Sequence, residues 1–256
     1  MKDKAIIELF GLPGSGKTTC RQTLINQLKL KGIKVYSQDE FANIAKARYA
    51  EKSNLLKKLI SKVMFKLEKK RILKIFKQTH YEYNNFVLKT LREINNSSKK
   101  TLKRYLEKTM IQYQLFDYYG FDNEIMLIDE GMVHRAHTIY GYDINFSLAK
   151  DKIIDYLNVI PYIGTVIYVQ VDKKVAKNRV LNRGLPNRMI SFSESDLNDF
   201  YSLNEKLVDV IDEFFKQYSN DYFIIKNDST NRTGLNLDMK RFIKEIQSNY
   251  KFERSQ

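Results

Sequence analysis

Apolar and polar positions along this chain change period repeatedly, and each change marks an element. Ala5-Ile6-Ile7-Glu8-Leu9-Phe10 is a near-continuous apolar run and predicts a first strand over about Lys4–Phe10. Cys20 to Leu30 switches to the spacing of an amphipathic helix, and Gly32 supplies its stop. Ile33-Lys34-Val35-Tyr36 predicts a short second strand ending in Ser37-Gln38-Asp39-Glu40. From Ile33 to Tyr119 there is no Gly or Pro, so that span predicts several helices, near 42–78, 80–94 and 98–119. Asn95-Asn96-Ser97-Ser98 is its clearest break, and the first of these helices has room for an interruption. Within it Leu55, Leu56, Leu59, Ile60, Val63 and Leu67 recur at helical spacing, with lysines between them. Glu124 to Ile128 predicts a third strand closing on Asp129, Glu130 and Gly131, and Gly164 to Val171 a fourth. Helices follow over Lys173–Asn182 and Asp196–Tyr218, then a last strand over Asp221–Ile225 and a closing helix over Leu235–Tyr250. Strands alternating with helices imply an α/β fold, a parallel sheet with helices on both faces.

Between the first strand and first helix stands Gly11-Leu12-Pro13-Gly14-Ser15-Gly16-Lys17-Thr18-Thr19, which fills every position of G-x-x-x-x-G-K-[ST]. The glycines let backbone N–H groups turn inward and form a nest for phosphate oxygens. The first turn of the following helix adds unpaired N–H groups and the positive end of its dipole. In such a loop the lysine, here Lys17, reaches the β- and γ-phosphates, and the hydroxyl of Thr18 is offered to Mg²⁺. The pattern predicts a phosphate-binding P-loop made by Gly11, Pro13, Gly14, Ser15, Gly16, Lys17, Thr18 and Thr19.

Composition changes this picture in two places. The formal charge of +14 on 256 residues is not spread evenly. Ala42 to Met110 carries 19 Lys/Arg against 5 Asp/Glu, which equals the whole excess, and the remainder balances 25 against 25. The basic segment has three readings: a nucleic-acid surface with Phe65, Phe76, Tyr81 and Tyr83 for bases, a helix lying on an anionic membrane, or a cap whose lysines are solvated or attract an anionic acceptor. The single cysteine, Cys20, rules out an internal disulfide and reads as a small buried residue of the first helix. No apolar run reaches the ~18 residues a bilayer crossing needs. The opening residues run straight into strand one, so a cytoplasmic protein is expected.

In an open parallel sheet, ligands bind beyond the carboxyl ends of the strands. Here those ends carry the loop, Asp39 with Glu40, Asp129 with Glu130, and Asn227 with Asp228. Asp129, after four apolar residues, is the natural second partner of Mg²⁺, usually through water, beside the plainer reading of a helix-capping carboxylate. Arg179 and Arg183 share one helix face, and Arg188 follows across Gly184 and Pro186. Such arginines can clamp a transferring phosphoryl group, and a lid over 183–195 can exclude water. His134 and His137 lack the partners of a structural zinc set and read as helix-surface histidines near the cleft. Tyr118, Tyr119, Tyr140 and Tyr142 read as core packing.

The loop G-x-P-G-S-G-K-T-T, the carboxylates after strand two, the Asp-ended third strand and the Arg-x-x-x-Arg pair resemble the P-loop nucleoside and nucleotide kinase superfamily, thymidylate and deoxynucleoside kinases above all. The resemblance implies a three-layer P-loop NTPase fold over the whole chain, 1–256, with five parallel strands in order 2-3-1-4-5 and a large helical insertion over 42–119. It implies ATP and Mg²⁺, and transfer of the γ-phosphate to a small acceptor such as a nucleoside, a nucleotide or another hydroxyl or phosphate compound. By the family's pattern Asp39 or Glu40 takes the acceptor's proton, while Asp129, Glu130 and Arg135 fill the motif after strand three. Arg179, Arg183 and Arg188 are then the lid arginines, and Asn227 with Asp228 meets the base of ATP. Two departures bear on the acceptor: Lys17 and Asp129 stand 112 residues apart, and strand three ends Asp-Glu-Gly. Asp129-Glu130 is also how a hydrolysing ATPase ends its third strand, with Glu130 polarising water to drive a partner or a nucleic-acid process. A GTPase lacks support, since no [NT]-K-x-D follows a strand. Helices beside strand three offer a surface for a homodimer.

Overall fold

A computed structural model describes residues 5–51, 61–93, 99–141, 150–161, 164–186, 189–219, 221–227 and 232–249. Leu55 to Ile60, Asn95 to Ser98, Tyr142, Arg188 and Asp228, named above, lie outside them. Five parallel strands form one sheet: β1 (Ala5–Phe10), β2 (Lys34–Ser37), β3 (Glu124–Ile128), β4 (Thr165–Gln170) and β5 (Tyr222–Lys226), in the order β2-β3-β1-β4-β5. Among the described residues ten helices surround it: α1 (Lys17–Leu30), α2 (Gln38–Glu51), α3 (Ser61–Thr79), α4 (Tyr81–Glu93), α5 (Lys99–Tyr119), α6 (Met132–Tyr140), α7 (Lys150–Val159), α8 (Lys173–Arg183), α9 (Glu194–Tyr218) and α10 (Arg232–Asn249).

Strand alternation divides the core in two. Ile7, Leu9, Val35, Ile125, Leu127, Ile167, Val169 and Ile225 pack with Cys20, Leu24, Ile25 and Leu28 of α1 and with Phe242 and Ile243 of α10. Phe10, Met126, Ile128, Val166 and Tyr168 face the other way, toward the larger cluster built by α2 to α9. Both faces being covered, the strands read as apolar runs rather than alternations. The expected sheet order and three-layer plan are what the chain adopts.

The insertion between β2 and β3 is helical throughout its described part, as its freedom from Gly and Pro requires. Phe65, Ile72 and Phe76 of α3, Tyr83, Val87 and Leu91 of α4, and Leu102 and Leu106 of α5 bury one face of each helix. Lysines such as Lys66, Lys70, Lys89, Lys103 and Lys108 stay exposed on the other.

Two helix starts differ from the sequence expectation for a local reason. α2 begins at Gln38, directly after β2, because Ser37 and Glu40 cap it reciprocally: Ser37 N–H donates to Glu40 Oε2 at 2.8 Å and Glu40 N–H to Ser37 Oγ at 3.2 Å. α9 begins at Glu194 under the same kind of box, Ser193 with Asp196. Between β3 and β4, where the sequence places the two histidines on a helix without giving its bounds, the chain forms α6 and α7.

Arg48 of α2 ties the insertion to the sheet. Its guanidinium donates to both carboxylate oxygens of Glu124, at 2.6 and 2.8 Å, and to the Tyr119 carbonyl at 2.6 Å, and it lies 3.9 Å from the Phe121 ring centre. The Glu124 side chain is 2% exposed, so losing its partner strands a buried charge. Arg48→Ala is expected to destabilise the fold by about 3 kcal/mol. The double variant Arg48→Met, Glu124→Gln should recover most of that. Urea denaturation of the three proteins measures both effects.

Candidate active site

The P-loop is held open by contacts that exclude side chains. Gly14 and Gly16 have φ of 87° and 89°, where only glycine sits without strain. A Cβ on Gly14 would land on the Ala176 carbonyl oxygen of α8, and one on Gly16 on the Asn227 amide. The loop is braced from three sides. Ser15 N–H closes a turn onto the Leu12 carbonyl at 3.0 Å. Tyr201 of α9 donates to the Pro13 carbonyl at 3.1 Å. Asn227, just past β5, donates through Nδ2 to the Ser15 carbonyl at 2.6 Å.

Lys17 lies folded over the loop, Nζ donating to the carbonyls of Gly11 at 2.9 Å and Leu12 at 3.0 Å. Burial lowers its pKa to about 8; Asp129 and Glu130 oppose that shift, and the positive charge of Arg183 adds to it. Lys17, Asp129, Glu130 and Arg183 therefore share one electrostatic neighbourhood. Beside them the Thr18 hydroxyl donates to Asp129 Oδ2 at 2.7 Å, and Arg21, one turn along α1, donates to Asp129 Oδ1 at 2.7 Å. Thr19 is exposed on the first turn of α1.

Other expected residues are placed as follows. Arg179 donates to the Asn227 carbonyl at 3.0 Å and to the Ser15 carbonyl at 3.5 Å, from behind the loop. Arg183 is exposed at the end of α8. Arg135 is buried: its Nε donates to Thr109 Oγ1 at 2.8 Å and its guanidinium to the Glu130 carbonyl at 2.9 Å, with Glu130 Oε2 at 3.5 Å. Asp39 and Glu40 are exposed on the first turn of α2, Glu40 engaged with Ser37 and with Lys29 at 3.1 Å. The buried position at that strand end belongs to Gln38.

The two histidines are not on a helix surface. His137 is buried, and His134 is partly covered, 5.1 Å from it ring to ring. Burial drives the pKa of His137 down to about 4 and that of His134 well below the usual range, and Lys17's charge adds to both shifts. A second buried group entered through Glu8, midway along β1. Its carboxylate accepts from Tyr113 Oη at 2.7 Å and from the His134 N–H at 2.8 Å, capping α6 from the sheet. A Cβ on Gly131 would overlap that carboxylate, so the turn after Asp129 passes directly over it. The sequence carried a signal for Arg21, four residues after Lys17 on a helix face, but none for a cap supplied by a residue 126 positions away.

The strand order with a P-loop after β1 defines a P-loop kinase-like α/β fold. No family model matches the chain, and no curated protein does. Among solved structures, a deoxyadenosine kinase from M. mycoides with bound dATP is 14% identical over 92% of this chain and 98% of that one, with a TM-score of 0.47. A thymidylate kinase from Ehrlichia chaffeensis is 14% identical over 95% and 99%, with a TM-score of 0.44. A shikimate kinase from Acinetobacter baumannii in complex with shikimate is 14% identical over 97% and 96%, with a TM-score of 0.42. The likeness is one of fold.

Glu8 yields a pH test. Burial raises its pKa to about 7, against the hydrogen bonds of His134 and Tyr113 and the charge of Arg135. From pH 4.5 to 7 the folded chain keeps a proton that the unfolded chain has released, so this group's stabilising contribution is complete below about 4.5 and lost above about 7. Glu8→Gln removes the titration. Between about pH 5 and 7.5 the variant should gain on the wild type by on the order of 2 kcal/mol in urea denaturation. A difference that does not move with pH would contradict a protonated Glu8.

Proposed function

We propose that this chain is a P-loop kinase that moves the γ-phosphate of ATP to a small acceptor. The observation that carries the reading is the 2.7 Å bond from Thr18 to Asp129 beside a partly buried Lys17. It joins the two residues that a triphosphate and its counter-ion require, one on each side of the loop. The fit to Mg²⁺ rests on the donor set, a hydroxyl and a carboxylate, which suits a hard oxygen-seeking cation. Thr18 would hold the ion and Asp129 would hold it through water. When bound, Mg²⁺ neutralises phosphate charge.

The chain's own residues do the rest. The amides from Gly11 to Thr19, with Pro13 and Ser15 fixing the turn, cradle the phosphates, and the Ser15 hydroxyl, buried and unpartnered, is free to join them. Lys17 exchanges two carbonyl partners for phosphate oxygens. Arg183, at the end of α8 and close enough to bear on Lys17, meets the charge that spreads over the transferring group, while Arg179 braces the loop through the Asn227 and Ser15 carbonyls. Asn227 stands at the edge where the base of ATP would lie. The acceptor enters between the end of β2 and α6, near Gln38, Asp39, Glu40, Glu130 and Arg135. Its oxygen bonds to the γ-phosphorus as the bond to the bridging oxygen breaks; ADP leaves with that electron pair, and the acceptor's proton passes to a base or to water. The ATPase alternative needs Glu130 to polarise water, and acceptor-dependent ADP release separates it from transfer.

Lys17→Met and Asp129→Asn should each lower ATP turnover by about 10²-fold or more. Fluorescent mant-ATP binding to the wild type should weaken as pH rises through about 8, where Lys17 loses its proton. ADP release should rise when an acceptor is added. Equal release with and without acceptors would overturn the kinase reading in favour of hydrolysis.

A further inference from the structure

Five buried side-chain nitrogens and oxygens among the described residues lack a hydrogen-bond partner: Ser15 Oγ, Arg21 Nε, Gln38 Oε1, His134 Nδ1 and His137 Nε2. All five belong to residues at the carboxyl edge of the sheet, on the loop and α1, at the end of β2, or on α6 after β3. A buried group without a partner is costly, so such groups gather where a ligand completes them. Their polarity is divided. Beside the phosphate loop stand a guanidinium N–H, which only donates, and a hydroxyl. At the end of β2 and on α6 stand an amide oxygen and two imidazole nitrogens.

The protonation of His137 follows from its neighbour. Asn204 of α9 donates through Nδ2 to the carbonyls of Gly141 and Phe200, each at 2.8 Å, and carbonyls can only accept. The amide orientation is thereby settled, and its Oδ1 faces His137 Nδ1 at 2.8 Å. Nδ1 must carry the hydrogen, which leaves Nε2 with a bare lone pair. Lys17 bears on both rings, and Arg135 and the neighbouring His137 ring on His134 alone; positive charge here acts with burial to keep the rings neutral, against the Asn204 bond at His137.

Resting on the kinase reading above, we infer that His137, oriented by Asn204, is a specificity residue of the acceptor subsite and that it selects a hydroxyl. A neutral imidazole lone pair accepts a hydrogen bond from an alcohol and repels an ionised phosphate or carboxylate. The acceptor class is therefore a neutral polyhydroxy compound, such as a sugar, a polyol or a nucleoside, rather than a nucleoside monophosphate. Gln38, at the end of the neighbouring strand, offers a second oxygen to the same kind of partner.

The test has three arms. Long-range ¹H–¹⁵N spectra of the wild type should show His137 protonated on Nδ1; protonation on Nε2 overturns the inference. ADP release with ATP and Mg²⁺ should rise with at least one of adenosine, thymidine, D-glucose and glycerol, and not with AMP or dTMP. Stimulation by a monophosphate, or by none of the six, overturns it. For the stimulating compound, His137→Asn keeps an atom toward Asn204 but none at Nε2, and should raise KM on the order of tenfold. His137→Gln restores an oxygen near Nε2 and should recover part of the loss, a rescue that a merely structural role would not produce. Equal KM values in wild type and both variants overturn the inference. Wild-type mant-ATP binding separates the two readings: its absence sinks the kinase proposal, whereas its presence with the wrong acceptor class sinks only this one.

Discussion

Asp129 accepts from Thr18 and Arg21 at the same 2.7 Å, and this junction between the end of β3 and the start of α1 is what the site depends on. It exists because β1 lies between β3 and β4, pairing Ala5 with Ile125 through Glu8 with Ile128. With the strands in that register, the chain leaving β1 and the chain leaving β3 emerge side by side. A carboxylate one residue past β3 then meets the first turn of the helix that follows the loop. Two donors on one buried carboxylate also hold α1 against rotation and so fix the direction of the amides in its first turn.

The other half of the site is governed by a second buried carboxylate, and here the fold works against its own stability. Glu8 sits in the strand that feeds the loop, and it caps α6, which carries His134 and His137. An apolar residue at that position would pack with less desolvation cost, but α6 would lose the acceptor for its first N–H groups. Tyr113 completes the arrangement from α5. The strand bearing the phosphate loop is thus joined by a direct hydrogen bond to the helix that follows β3. Arg135 adds a further link by holding the Glu130 carbonyl from α6.

Much of this was legible in the sequence because its causes are local or periodic. The loop motif, the apolar runs of β1, β3 and β4, and the breaker-free insertion each follow from neighbouring residues. So would two features that went unread: Ser37-Gln38-Asp39-Glu40 has the spacing of a capping box, and Ile153, Tyr156 and Leu157 share one face of α7. The capping box matters for function, since it commits Glu40 to Ser37 and leaves Gln38 in the buried place. What could not be read depends on contacts remote in sequence. α6 has no side-chain cap of its own at Gly131, and its cap comes from Glu8. The histidines looked like surface residues because Met132, Val133, Ala136, Ile139 and Tyr140 define an apolar face that leaves them off it, and nothing local reveals that Asn204 of α9 covers His137 as well.

The basic segment shows how charge and fold separate. Phe65, Ile72, Phe76, Tyr83 and Val87 face inward as part of one core, and three of its five acidic residues are paired: Glu68 with Arg71, Glu107 with Lys77, and Glu93 with Lys152 of α7. An exposed pair such as Glu93 with Lys152 adds little stability; the cap is held by burial of Phe65, Ile72, Phe76 and Tyr83 and tied to the sheet by the buried pair of Arg48 with Glu124. The outward lysines are therefore free to vary without unfolding the helices that carry them. A field of one sign can persist on that face because the inner face holds it in place. The same division appears at the centre of the molecule, where apolar packing sets the positions of β1, β3 and α6 and the few buried polar groups use those positions without having created them.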